Sequence, residues 1–189
     1  MSFVELTLAI LVLLITPGPT NTLILLAGAE RGLARATRLI PVELAAYLSV
    51  VIPLALIGQS TLDAYPGLRS GVAVLAAIWV AILAAKLWHH DPVATDRSVD
   101  ARALFLTTLV NPKGLIFGLV LLPSPDRLQL NLIAFSLSVV GVALVWATFG
   151  AVLRQGSGGQ PRALSGLRRL ASVFLAGMSV LLVVRGVGA

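Results

Sequence analysis

Thr16-Pro17-Gly18-Pro19-Thr20-Asn21 interrupts an apolar run that reaches from Phe3 to Ala29. A run of that length can cross roughly 30 Å of hydrocarbon as a helix. Proline supplies no amide proton and glycine holds a helix weakly, so this sextet opens the hydrogen-bond ladder midway. Lipid offers nothing to the freed N–H and C=O groups. Such a break persists only where protein or a water-filled cavity receives them. The sextet therefore predicts a membrane helix in two pieces, with the broken ends turned toward protein.

The rest of the chain is consistent with that reading. Its 189 residues are 58% hydrophobic and 12% charged, with a mean hydropathy of +0.97. A soluble core of this size could not absorb so much apolar surface. The composition predicts an all-α integral membrane protein, one polytopic domain over residues 1–189 with about six transmembrane helices. Met1 to Glu5 contains no Lys or Arg and no small-residue cleavage site follows, so the first segment reads as a retained helix and not as a signal peptide. The chain has no cysteine, which removes disulfides, thiolate nucleophiles and soft-metal thiolate sites. A net charge of +6 raises nucleic acid as a partner, but the basic residues fall in small groups between apolar spans. That pattern belongs to membrane topology, and a nucleic-acid role is not expected.

In order, the apolar segments run from about Phe3 to Ala29, Leu39 to Gly58, Gly71 to Trp88, Ala103 to Leu122, Leu128 to Leu153 and Leu170 to Val184. Pro53 inside the second predicts a kink. Gln59 to Ser70 reads as a polar loop, Asp91 to Arg102 as a solvated connection, and Pro123 to Arg127 as a tight turn. Gln155 to Pro161 reads as a flexible linker, followed by a turn holding Arg162, Arg168 and Arg169. The connections after segments one, three and five hold Arg31, Arg35, Arg38, Lys86, Arg97, Arg102, Arg154, Arg162, Arg168 and Arg169; the other side holds Arg69, Arg127 and Arg185. The positive-inside rule then places the basic connections in the cytoplasm and both termini outside it.

A second interruption, Asn111-Pro112-Lys113-Gly114, lies in segment four. Halves of three segments make segments one and four counterparts, and an odd number of crossings per half means that any repeat relating them is inverted. The expected architecture is two inverted three-helix repeats, roughly residues 1–88 and 103–187, with interrupted helices one and four. Paired breaks at matching positions point to a transporter binding site near the membrane midplane.

Each break has its own chemistry. Pro19 or Thr20 can open a second half-helix capped by Thr16 or Thr20, and Asn111 followed by Pro112 is an N-cap with proline at the first helical position. Half-helix N-termini present free N–H groups and a positive dipole end, suited to a carboxylate. The preceding half-helices leave free carbonyls, suited to an ammonium group or a cation. Lys113 is the ionisable residue nearest the middle of a segment, costly there unless paired or hydrated. It can bind a substrate carboxylate, titrate in a proton-coupling step, snorkel to an interface or pair with an acid. Glu43 is the partner best placed for it, although an acid just after Pro41 also stabilises a helix N-terminus. Tyr47 shares a helical face with Glu43 and reads either as a site residue or as packing. Asn21 can hydrogen-bond a substrate or the broken backbone. His89-His90-Asp91 does not share one face, and no metal site or cofactor is expected.

Thr16 to Asn21, the basic Gly-containing turn after segment one, and Leu109-Val110-Asn111-Pro112-Lys113 leading through Phe117 to Leu122-Pro123 together resemble the LysE/RhtB family of amino-acid exporters. The resemblance spans essentially the whole chain. It implies export of amino acids or similar small metabolites across the cytoplasmic membrane, driven by the proton motive force, by a dimer. Carried over by position, the site residues are Pro17, Gly18, Pro19, Asn21, Asn111, Pro112 and Lys113, with Glu43 and Tyr47 added from their own chemistry. In segment two the sequence departs from the family pattern of spaced glycines, often with an Asp, and has Pro41, Val42, Glu43 and Ala46 instead. An exporter of cations or heavy metals on the same scaffold and a non-transporting membrane protein are the alternatives. No paired carboxylates or His/Glu cluster inside a segment point to an enzyme.

Overall fold

A computed structural model describes residues 2–64, 67–89, 99–122, 127–156 and 161–187, and every regular element among them is helical. The first apolar run divides at the sextet. Helix α1 (Phe3–Ile15) starts at a capping box, in which Ser2 Oγ accepts from Glu5 N at 3.2 Å and Glu5 Oε2 accepts from Ser2 N at 2.9 Å. It ends at Thr16, and α2 (Pro19–Arg31) begins with Gly18 as its N-cap residue and Pro19 at the first position, bent 62° from α1.

Gly32, with φ at +78°, ends α2 in the left-handed region that only glycine adopts without strain. A short helix α3 (Leu33–Ala36) and a 3₁₀ turn (Thr37–Leu39) then lead into α4 (Ile40–Ala64), which runs on through Pro53. Helix α5 covers Gly67–His89. The polar loop expected over Gln59 to Ser70 is thus a correction: helix extends to Ala64 and resumes at Gly67, because helices outrun the hydrocarbon-length apolar window that marks them in a sequence.

The second break is equally local. Helix α6 (Ala101–Leu109), capped by Asp100 Oδ1 on Arg102 N at 3.1 Å, stops before Asn111, and α7 (Pro112–Ile116) follows. A π-helical turn over Phe117–Leu121 continues it, and the two parts are bent by 46°. Helix α8 (Leu128–Gly156) is the longest apolar element. Helix α9 (Pro161–Val187) starts earlier than expected, so Arg162, Arg168 and Arg169 lie on a helix and not in a turn. Most of the Asp91 to Arg102 connection, most of the Pro123 to Arg127 turn and the centre of the Gln155 to Pro161 linker fall outside the described residues.

Among the described residues, two stretches, Leu33–Leu56 and Leu128–Gly156, are long and apolar enough to cross a membrane, and up to four if each bent pair counts as one span. The outward faces suit that solvent: Val4, Leu8 and Val12 on α1, Leu137 and Val145 on α8, and Val173 and Val180 on α9 are exposed. Helices, candidate apolar spans and exposed apolar side chains among the described residues fit a membrane protein.

Interior contacts depend on small and hydroxylic residues. Helices α2 and α8 cross in near backbone contact: a Cβ on Gly28 would overlap the Ala147 carbonyl, and one on Gly150 would overlap that of Leu25. Such close approach is what holds helices together where lipid removes the hydrophobic drive. Helices α5 and α9 pack along their length, and Ser172 and Ser179 donate to the carbonyls of Ala84 and Ala77 at 2.7 and 2.9 Å. Equal seven-residue steps on antiparallel helices fix their register.

Candidate functional site

The first break frees carbonyls at the end of α1, and side chains donate to those of Leu14 and Thr16. Thr16 N and Thr16 Oγ1 both donate to Val12 O, at 3.3 and 2.7 Å. Asn21 Nδ2 donates to Leu14 O at 2.8 Å and to Thr16 O at 3.0 Å. Lys113 Nζ, from the second break, donates to the same two carbonyls, to Leu14 O at 3.4 Å and more closely to Thr16 O. A lysine on one broken helix therefore closes the open end of the other. Gly18 lies beside it, where a Cβ would make an ordinary van der Waals contact of 3.4 Å with Lys113 Cε and Nζ.

The second break is tied to the first by its amide. Asn111 Oδ1 caps α7 by accepting from Lys113 N at 3.1 Å, which leaves the Nδ2 group free to donate outward. It donates to Thr20 Oγ1 at 2.9 Å and to Tyr47 Oη at 3.2 Å. Thr108 Oγ1 approaches Thr20 Oγ1 at 3.4 Å. Neither Thr16 nor Thr20 caps α2, contrary to expectation: Gly18 occupies the cap position without a side-chain bond, and the Thr20 hydroxyl faces the second break. Among the described residues the amide N–H groups of Thr20 and Asn21 find no main-chain acceptor, as at any helix start.

Helix α4 supplies the third side. Glu43 is 2% exposed, and its Oε2 has no hydrogen-bond partner. Among the described residues no ion pair joins it to Lys113, whose ammonium donates to Leu14 O and Thr16 O. One turn on, Tyr47 is buried against Phe117 and Phe135, edge-on to both with centroids 6.0 and 5.8 Å away. Phe117 opens the π turn, a local widening often found beside functional sites.

Of the residues singled out in the sequence, Gly18, Pro19, Asn21, Glu43, Tyr47 and Asn111 are buried, and Pro112 and Lys113 are partly buried. Asn21, Asn111, Lys113 and Tyr47 belong to one hydrogen-bonded cluster that also contains Thr20 and Thr108. Pro17 alone of the set is exposed; it shapes the break from outside. Thr108 was not anticipated, although a hydroxyl one turn before Asn111 in an apolar helix was available as a signal. The carbonyls of Leu14 and Thr16 carry no side-chain signal at all. No group of three or more His, Cys, Asp or Glu able to hold a metal occurs among the described residues, and His90 and Asp91 lie outside them.

Chemically the cluster offers two poles. The start of α2 and the Lys113 ammonium make a positive locus, and Glu43 provides an acid with an unengaged oxygen. No protein-family model, curated protein or solved structure matches this chain.

Proposed function

We propose that this chain is a secondary transporter that exports amino acids or related small metabolites across the cytoplasmic membrane by proton-coupled alternating access. The observation that carries the reading is the junction of the two broken helices, where Lys113 closes on Leu14 and Thr16 while Asn111 bonds Thr20 and Tyr47. A scaffold has no need of two interrupted helices facing each other, whereas a transporter places its substrate where they meet. The unengaged N–H groups at the α2 N-terminus suit a carboxylate, and Glu43 suits an ammonium group.

The packing supports an inverted repeat of six segments, in which α1 with α2, α4 and α5 correspond to α6 with α7, α8 and α9. That exchange turns the contact of α4 with α6 into the contact of α8 with α1, and both exist. It turns α2 against α8 into the α7 and π segment against α4, and both exist as well. The motif resemblance to LysE/RhtB exporters points to the same class and to a homodimer, and the distribution of Lys and Arg points to extracytoplasmic termini.

The test is reconstitution in liposomes with an imposed pH gradient and a panel of labelled amino acids. Wild-type protein moves at least one of them, and Lys113→Ala and Gly18→Leu stop transport while the purified variants keep wild-type helicity and elution volume. Full transport in both variants would remove these residues from the site.

A further inference from the structure

The turn between α2 and α4 gathers charge in a way that the transport reading does not use. Arg35 and Arg38 are three residues apart along α3 and the 3₁₀ turn, and Arg31, at the end of α2, stands on the other side of the Gly32 break. All three line a single cavity of about 410 Å³, whose remaining wall is Ala27, Leu39 and Val99. Among the described residues no acid pairs with any of the three. The Glu30 carboxylate lies at the edge of the cavity, where its Oε2 accepts from Val99 N at 3.3 Å.

Topology alone accounts for arginines on this side of the chain, but not for their convergence. Three cations around one concavity repel each other, and an anion in their midst reverses the sign of the interaction. Guanidinium groups match phosphate oxygens by paired N–H donors. The aliphatic wall adds a second requirement. A free phosphate gains nothing from Ala27, Leu39 and Val99, whereas the glycerol and first methylenes of a phospholipid do. Basic pockets between membrane helices at the side with excess Lys and Arg are where anionic headgroups bind.

From this we infer that the cavity formed by Arg31, Arg35 and Arg38 is a binding site for the phosphate of an anionic phospholipid headgroup. Such a site does not depend on which substrate is transported. Its structural consequence is direct, because the same turn joins α2, which bears Thr20 and Asn21, to α4, which bears Glu43 and Tyr47. A lipid held there fixes the two walls of the broken-helix cluster relative to each other.

The experiment uses the full chain in detergent, titrated with short-chain phosphatidylglycerol, short-chain phosphatidylcholine or inorganic phosphate, with thermal midpoint and native mass spectra as readouts. Phosphatidylglycerol is expected to raise the midpoint and to persist as a bound adduct, with phosphatidylcholine inert and phosphate without effect at millimolar concentration. Each of Arg31→Gln, Arg35→Gln and Arg38→Gln, all at exposed positions, is expected to weaken binding about fivefold. Arg127→Gln, on the opposite side of the membrane by the charge rule, is expected to leave it unchanged. Equal stabilisation by inorganic phosphate would make the cavity a free-anion site and overturn the lipid assignment. Binding that survives all three substitutions, or no binding by the wild type, would overturn the site itself.

Discussion

The ammonium of Lys113 rests on the main-chain carbonyl of Thr16, ninety-seven residues away in the chain. A charge that is costly in hydrocarbon is thus set against carbonyls that are costly there for the opposite reason. Each break thus supplies a partner to the other.

Replacing Lys113 tests that mutual dependence. Lys113→Gln retains a donor but shortens the reach and removes the charge, so Leu14 and Thr16 keep only their bonds from Asn21. A loss of about 1–3 kcal/mol in stability is expected, as for a buried polar group left short of a partner, together with loss of transport. Denaturant midpoints in detergent and liposome flux measure the two effects, and an unchanged midpoint would mean that the bonds to Leu14 and Thr16 contribute nothing.

Asn111 has two jobs that substitution separates. Asn111→Asp keeps an oxygen to cap Lys113 N but cannot donate to Thr20 or Tyr47 when ionised; Asn111→Ala loses both functions. Alanine should cost about 1 kcal/mol from the cap alone and more from the lost donors. Transport should fail in both variants, and wild-type flux in Asn111→Asp would show that the link between the breaks is dispensable.

Glycine substitutions test the close approach of α2 and α8. Gly150→Leu and Gly28→Leu would drive side chains into facing backbone, at a cost of at least about 1–3 kcal/mol each. Gly141→Leu on the same α8 helix meets nothing within 4 Å and serves as the tolerated control. Thermal midpoints that rank Gly141→Leu with the other two would contradict the observed crossing.

The serine pair between α5 and α9 should contribute modestly. Ser172→Ala and Ser179→Ala are each expected to cost about 0.6 kcal/mol, the usual scale for interhelical hydrogen bonds within membranes. Unfolding titrations of the single and double variants should show near additivity, the two bonds lying two turns apart.

Orientation is open to direct chemistry because the chain has no cysteine. With Arg35→Cys and Arg127→Cys, both at exposed positions, an impermeant maleimide applied to intact cells should label the second and spare the first. The reverse pattern would invert the topology.

What the amino-acid sequence determined by itself was local and compositional. Apolar runs of membrane length and a deficit of charge imply helices in lipid, since only internally bonded backbone survives there. Pro17, Gly18 and Pro19, and Asn111 with Pro112, mark the breaks to the residue, because proline and glycine act on their own backbone wherever the chain goes. Helix ends were less legible: α4 and α9 continue past their apolar windows, where polar residues are as content in a helix at the water boundary as in a loop. What the breaks do for each other emerges when the chain is packed. That Lys113 turns to Leu14 and Thr16 and not to Glu43, that Thr20 faces Asn111 instead of capping α2, and that three arginines share one cavity all depend on residues far apart in sequence. Main-chain carbonyls have no side-chain identity to read, so their recipients appear only when the fold brings them together.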